Sequence, residues 1–99
     1  MGTFIQIIEM NTNKIDEIRK LDEEWRAATE GKRTSMRATI AVDRDDLKRH
    51  FVIVEFPSYE AAQQNDALPE TQEFAQKQMA FADGPPTFYN LDVIDVTET

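Results

Sequence analysis

The sequence predicts an α+β domain with the element order β-α-β-β-α-β. Three observations support this fold class. Four short segments are rich in β-branched and aromatic residues, two longer segments carry apolar residues at helical spacing, and clusters of Gly, Pro, Asn and Asp separate them. A chain of 99 residues is long enough to bury one core but not two. We therefore expect a single domain over residues 1–99.

The N-terminal third contains the first strand and the first helix. Residues 3–10 are a β-type run, and the Asn-Thr-Asn cluster that follows favours a turn. From Lys14 to Glu30 the charged residues, Asp22 among them, are assigned to the solvent side. The apolar residues lie on one stripe, which predicts an amphipathic helix with Trp25 largely buried: Ile15, Ile18, Leu21, Trp25 and Ala28.

The middle of the chain predicts a β-hairpin. Gly31 suits the left-handed position that ends a helix, and residues 34–42 then resume extended character. The segment 50–56 is dense in β-branched and aromatic residues, and the polar segment 43–47 joins it to the preceding strand. The two strands are therefore expected to pair.

The C-terminal half predicts an interrupted helix and a last strand. Ser58 can cap a helix that begins after the third strand, and a break is expected over residues 65–68, because Pro69 cannot continue a helix but can begin one. One stripe of mainly apolar residues then recurs at helical spacing and includes Gln78: Phe74, Ala75, Gln78, Met79, Phe81 and Ala82. Residues 88–96 form the last β-type run.

Both faces of the predicted sheet carry apolar side chains. In the third strand Val52, Val54 and Phe56 alternate with Phe51 and Ile53, and the first and last strands show the same mixture. Two helices can cover only one face of such a sheet. The sequence therefore predicts a homodimer that covers the other face. Polar residues inside these strands need partners, and Arg37 with Glu55 is a plausible cross-strand pair.

Composition excludes several classes of function. The chain has 11 basic and 19 acidic residues and a net charge of −8, so we expect no nucleic-acid partner and no attraction to anionic membranes. With no Cys and one His, neither a thiolate site nor a multi-His metal site is expected. The sequence shows no membrane-spanning run and no leader, which predicts a cytoplasmic location.

The order of elements, the passage Glu55–Ala62 (EFPSYEAA) and the later Phe74 resemble the dimeric α/β-barrel superfamily, especially its antibiotic-biosynthesis-monooxygenase-like branch. The resemblance covers nearly the whole chain. It implies a ferredoxin-like domain, a four-stranded antiparallel sheet with two helices on one face, that pairs into a dimeric α/β barrel. The superfamily includes cofactor-free oxygenases of aromatic polyketides, haem-degrading enzymes, isomerases and stress-responsive proteins, so the fold does not select one activity.

The resemblance argues against haem chemistry. The haem-degrading branch uses an Asn on the first strand, a Trp at the end of the third strand and a His on the following helix. The matching positions here hold Gln6, Phe56 and Asn65, and none of these side chains is the usual axial ligand of haem iron. We therefore expect no cofactor and no metal.

His50 is the first candidate catalytic residue, because imidazole is the side-chain type that exchanges protons near neutral pH. Its position beside Arg49, near Asp45 and Asp46, also fits a solvated or ion-paired histidine at a hairpin end. Asn65 is the second candidate. It is expected at the mouth of a pocket, beside the helix break, where its amide could orient a carbonyl or a phenol.

A ligand pocket between the helices and the sheet is expected to be lined by large apolar residues, with Gln6, Asn65 and Tyr59 supplying hydrogen bonds. Core packing is the alternative role for the apolar candidates: Trp25, Phe56, Phe74, Met79 and Phe81.

Two functions remain open from the sequence. The first is a cofactor-independent oxygenase that acts on a small aromatic or polyketide-like molecule. The second is a non-catalytic homodimer that binds a hydrophobic ligand or serves a stress response.

Overall fold

Seven elements follow one another in the computed structural model, which describes residues 3–99. They are β1 (Phe4–Asn11), α1 (Ile15–Ala28), β2 (Arg37–Asp43), β3 (Asp46–Phe56), α2 (Tyr59–Ala67), α3 (Pro69–Met79) and β4 (Thr87–Asp92). The sheet order is β2-β3-β1-β4, and every neighbouring pair is antiparallel. This topology confirms the predicted ferredoxin-like α+β fold, with the interrupted helix present as α2 and α3.

Local sequence signals account for the helix boundaries in the second half of the chain. Ser58 has an extended backbone, and its Oγ accepts a hydrogen bond from the Ala61 amide at 3.0 Å, so the predicted cap of α2 is confirmed. Leu68 is also extended (φ −63°, ψ 131°) because a residue before proline avoids the helical region. The chain therefore breaks at Leu68 and begins a new helix at Pro69.

Gly31, which follows α1, has the left-handed conformation that the sequence predicted. Its φ of +81° lies in the left-handed region, where a residue without a Cβ is not strained. The helix itself is slightly shorter than the predicted segment from Lys14 to Glu30, with observed bounds of Ile15–Ala28.

The central pair β1 and β3 divides the sheet into two faces. Phe4 lies opposite Phe56 and Met10 lies opposite His50, and these four side chains are 5% exposed or less. We call their side of the sheet the covered face, because the helices pack on it. The opposite side is called the open face, and it carries alternate residues of each strand: Ile5, Ile7, Glu9, Arg37, Thr39, Ala41, Arg49, Phe51, Ile53, Glu55, Tyr89 and Leu91.

The hydrophobic core lies between the covered face and α2. It contains Phe4, Phe56, Ala61 and Ala62, with Val54 packed against it. The Phe4 and Phe56 rings have centroids 6.3 Å apart. At the other end of this face, the Gln78 amide of α3 donates to the Met10 sulfur at 3.2 Å, and Ile18 of α1 is 1% exposed.

The last strand is shorter than the sequence predicts. Residues 88–96 have β-type composition, but β4 ends at Asp92, which pairs with Phe4 at the start of β1. The Val93 amide donates to the Thr3 carbonyl at 3.0 Å. Beyond this bond β1 offers no further described partner, and Ile94 is 97% exposed. Strand pairing requires a neighbour as well as a suitable sequence.

Candidate functional site

A cleft of about 460 Å³ lies between α1 and the β2 edge of the covered face. We call it the α1–β2 cleft. The first helix packs chiefly against α3, which leaves space between α1 and β2. The α1 wall is charged, whereas β2 contributes small and branched side chains. The lining residues are Ile15, Arg19, Asp22, Glu23, Arg26, Ala38, Ile40, Ala41, Val42 and His50.

His50 lies at the inner end of this cleft and is 5% exposed. The alternative of a solvated or ion-paired histidine at the hairpin end is therefore wrong, because the register of β3 turns the ring towards the helices. Its Nδ1 lies 3.0 Å from the Lys48 carbonyl oxygen. A carbonyl carries no hydrogen, so Nδ1 must donate in this bond, and the neutral ring then has its lone pair on Nε2.

Asp22 brings a carboxyl group into the same cleft. Its Oδ2 lies 3.1 Å from Arg26 Nε, one turn later on the helix. Burial raises the pKa of the Asp22 carboxyl above its ordinary value, although Arg26 and Arg33 act in the opposite direction. The sequence analysis assigned this residue to solvent. The missed signal was its spacing, four residues after Ile18 and three before Trp25.

Asn65 was predicted to lie at the mouth of a pocket, but the structure places it elsewhere. It is 5% exposed, and its Oδ1 accepts a hydrogen bond from the Thr34 amide at 3.4 Å. The Thr34 hydroxyl in turn donates to the Ala61 carbonyl. Asn65 lines neither the α1–β2 cleft nor the smaller groove described below. The prediction assumed that the helix break leaves backbone groups without partners. Instead, the backbone carbonyl of Asn65 accepts a hydrogen bond from the Leu68 amide, so the break is closed within the chain.

The predicted aromatic lining residues are divided among separate places. Trp25 and Phe74 line a groove of about 120 Å³ between α1 and α3, with ring centroids 6.1 Å apart. Trp25 Nε1 donates to Thr71 Oγ1 at 2.9 Å, and the ring is partly rather than largely buried because it covers the edge of this helix pair. Met79, which was considered with them, is 61% exposed.

The remaining candidates lie at the two ends of the covered face. Phe56 belongs to the core, and the Tyr59 ring contacts Phe4 edge-on at 5.2 Å between centroids. The carbonyl of Phe81 accepts from the buried Thr12 hydroxyl at 2.6 Å. Phe56, Tyr59 and Phe81 line neither cavity.

Gln6 and Asn90 form a polar pair on neighbouring strands. They are in register, and Gln6 Nε2 donates to Asn90 Oδ1 at 3.3 Å. Of the eight site candidates that the sequence suggested, His50 is the one that lines the α1–β2 cleft.

Within residues 3–99, no group of three His, Asp or Glu side chains is close enough to hold a metal ion. No helix in that range is long and apolar enough to cross a membrane.

Comparison with known proteins gives structural but not sequence relatives. No protein-family model and no curated protein matches the sequence. Solved structures do match. SnoaB, a cofactor-independent oxygenase from Streptomyces nogalater, aligns with a TM-score of 0.80 at 12% identity, covering 97% of this chain and 97% of that chain. An asparagine-to-alanine variant of SnoaB gives a TM-score of 0.81.

Two further structures are similar at the same level. An antibiotic biosynthesis monooxygenase aligns with a TM-score of 0.73 at 18% identity, covering 93% of this chain and 99% of that chain. A conserved protein from Methanosarcina mazei Go1 aligns with a TM-score of 0.79 at 10% identity, covering 92% of each chain. The chain therefore has the ferredoxin-like fold of the antibiotic-biosynthesis-monooxygenase-like proteins.

Proposed function

We propose that this protein is a cofactor-independent monooxygenase whose substrate is a small aromatic or polyketide-like molecule bound in the α1–β2 cleft. The observation that carries the proposal is the position of His50. A nearly buried imidazole, fixed through Nδ1 to a backbone carbonyl, lines a cleft of about 460 Å³. This volume lies within the range that binds small molecules.

The bond at Nδ1 gives His50 a defined role. Nε2 can accept the proton of a phenol or an enol, which leaves an electron-rich anion on the substrate. The substrate then supplies the electrons and dioxygen is the oxidant. For an anthrone, one oxygen atom becomes the new carbonyl oxygen, and the other leaves as water with the two hydrogens of the oxidised carbon. Ile40 and Val42 provide an apolar wall beside the ring.

The fold likeness supports this choice. SnoaB, which shares the fold, is a cofactor-independent oxygenase. One fold supports many activities, so the assignment depends on the cleft and on its histidine.

A non-catalytic homodimer that binds a hydrophobic ligand or serves a stress response is the second candidate. Asn65 and Gln6, the other polar candidates, already bond to groups of the same chain. Neither side chain lines the cleft, so neither supplies a second polar group beside His50, and this favours a cleft that binds a molecule without transforming it.

Oxygen consumption with anthrones and small quinols, in the absence of added metal or flavin, separates these functions. The wild type should consume oxygen in proportion to substrate. His50→Gln keeps a polar side chain of similar length but provides no imidazole base, so turnover should fall about 100-fold or more, within the usual contribution of a general base. Asn65→Ala, outside the cleft, should retain turnover if the variant remains folded.

Aromatic molecules that bind but cause no oxygen consumption would support the second function. Failure of every aromatic probe to bind would rule out the oxygenase and leave the non-catalytic homodimer.

The open face supports a homodimer. Its centre is apolar, with Ile7 opposite Ile53 and with Leu91 44% exposed. Ion pairs lie towards both ends of the strands: Arg37 with Glu55 at one end, and Arg49 with Glu9 and Asp43 at the other. An apolar centre with a polar rim is typical of a protein interface, and we propose that a second copy covers it.

A further inference from the structure

Asp22 occupies a position on α1 where an apolar residue is expected. It lies on the sheet-facing stripe with Ile18, which is 1% exposed, and its own side chain is 23% exposed. From this position it lines the α1–β2 cleft, as His50 does from β3. A carboxyl group at such a position needs a reason, because burying a charge is unfavourable.

The ion pair with Arg26 does not provide that reason. A pair four residues apart on one helix forms equally well on the solvent side, and the Arg26 side chain is 55% exposed. Burial raises the pKa of Asp22 despite the opposing effects of Arg26 and Arg33. The charged carboxylate is therefore less favourable in the folded protein than in the unfolded chain.

We propose that Asp22 accepts a hydrogen bond from a second hydroxyl group of the substrate, so that the cleft selects aromatic molecules carrying two hydroxyls. This inference rests on the proposed function, in which His50 takes the proton of the first hydroxyl. The two acceptors come from different elements, Asp22 from α1 and His50 from β3. A site built to bond a hydroxyl discriminates against analogues that lack it.

The other groups around the cleft do not provide an equivalent acceptor. Arg19 and Arg26 only donate hydrogen bonds, and Ala38, Ile40 and Val42 of β2 are apolar. Arg33, from the segment after α1, influences Asp22 as a positive charge. Glu23 is a carboxylate at the cleft, but it is exposed, where water competes for its hydrogen bonds. Arg26 acts as a positioning residue for the Asp22 carboxylate, since its Nε lies 3.1 Å from Asp22 Oδ2.

Three probes of equal ring size test this selectivity by calorimetry: anthraflavic acid, which has two hydroxyls at opposite ends, its monohydroxy analogue, and unsubstituted anthraquinone. The wild type should bind the dihydroxy probe about tenfold more tightly than the monohydroxy probe, which is the usual contribution of a hydrogen bond to a charged group. Asp22→Leu should abolish this ratio. Asp22→Asn keeps a carbonyl acceptor without the charge and should give an intermediate ratio.

Asp16→Asn is the matched control: Asp16 is exposed on the same helix and lies outside the cleft, so this variant should preserve the tenfold ratio. The melting temperature adds a readout that separates function from structure. If Asp22 served only to stabilise the fold through its ion pair with Arg26, the Asp22→Asn variant would melt below the wild type. If Asp22 serves to bind the substrate, as we propose, the variant should melt at the same temperature or higher. This measurement also remains informative if Asp22→Leu fails to fold, because Asp22→Asn changes the shape of the side chain least.

A ratio that survives in both Asp22 variants, or one that Asp16→Asn abolishes, would overturn the inference. The proposed function would stand in that case, provided that the monohydroxy probe binds and that His50→Gln lowers oxygen consumption with anthrones. If none of the three probes binds to the wild type, the proposed function fails and the inference fails with it.

Discussion

The covered face and the open face of the sheet alternate along the same strands but are stabilised in different ways. On the covered face, Phe4 and Phe56 are 3% and 1% exposed and pack against α2. Polar groups there bond to their own chain, as His50 does with the Lys48 carbonyl. On the open face, Arg49 bridges Glu9 and Asp43, and its guanidinium lies 5.0 Å from the centre of the Phe51 ring.

This difference teaches what strand alternation does and does not determine. Alternation places Phe56 and Glu55 on opposite sides of β3, but it does not say which side the helices will cover. Coverage converts one face into a core with a cleft at its β2 edge. The uncovered face keeps apolar residues together with ion pairs that also tolerate water.

The largest expected effect is on the core of the covered face. Phe56→Ala removes a fully buried ring and leaves a cavity, so the free energy of unfolding should fall by about 3–5 kcal/mol. Urea unfolding followed by circular dichroism measures this change. Leu47→Ala is the control. Leu47 is 73% exposed, and its truncation should change the free energy by no more than about 0.5 kcal/mol. Equal losses would show that the two positions are not packed as described.

The open face should respond in assembly rather than in folding. Light scattering should give twice the chain mass of 11.4 kDa for the wild type. Ile53→Lys places a charge at the apolar centre of the proposed interface and should weaken the dimer by about 2 kcal/mol or more, roughly thirtyfold in Kd. Gln64→Lys adds the same charge on the exposed side of α2 and should leave the dimer intact. A wild type that is monomeric at high concentration would contradict the proposed interface.

A smaller effect is expected in the helical layer above the covered face. Trp25 Nε1 donates to Thr71 Oγ1 at 2.9 Å, which links α1 to α3. A double-mutant cycle with Trp25→Phe and Thr71→Val should give a coupling free energy of about 1 kcal/mol, the usual net value of such a bond. Strict additivity of the two single variants would mean that this hydrogen bond contributes nothing to stability.

The smallest effect concerns the charges of the open face. Hydrogen bonds from Arg49 and then Tyr89 hold the pKa of Glu9 below its ordinary value. The folded state therefore binds fewer protons than the unfolded chain, and the resulting stability is present above the ordinary Glu pKa of about 4.3 and is lost as the pH falls below it. The Glu9→Gln variant has no carboxyl group at this position, so its free energy of unfolding should fall less on acidification than that of the wild type.

Tyr89→Phe provides a graded control for this comparison. It deletes only the 2.8 Å bond from the phenol to Glu9 Oε1, and its acid dependence should lie between those of the wild type and Glu9→Gln. Chemical unfolding at a series of pH values measures the three slopes. Parallel slopes would show that Glu9 does not contribute to acid sensitivity.

Predictions from neighbouring residues were the most accurate. Ser58 and Pro69 act within one turn of chain, and both mark helix starts in the structure. The Arg37–Glu55 pair was also predicted, and its Nε–Oε2 distance is 2.6 Å. A hairpin brings these residues opposite each other, so pairing the two strands was sufficient to predict the contact.

Predictions about the site were less accurate because the cleft depends on distant elements. Asp22 was assigned to solvent, since helical charges usually face water, but α1 turns it towards the cleft. Asn65 was expected at the mouth of a pocket, whereas its side-chain carbonyl accepts a hydrogen bond from the Thr34 amide, 31 residues earlier in the chain. Neither outcome follows from local sequence.

The sequence by itself determined the order of the elements, the break at Leu68 and the alternation that separates Phe56 from Glu55. These features depend on backbone sterics and on the periodicity of nearby side chains. The tertiary structure decided which face became the core and placed His50 and Asp22 in one cleft. It also ended β4 at Asp92, where β1 begins. These outcomes require packing between segments that are far apart in the chain, and the energy of that packing is not encoded in any one segment.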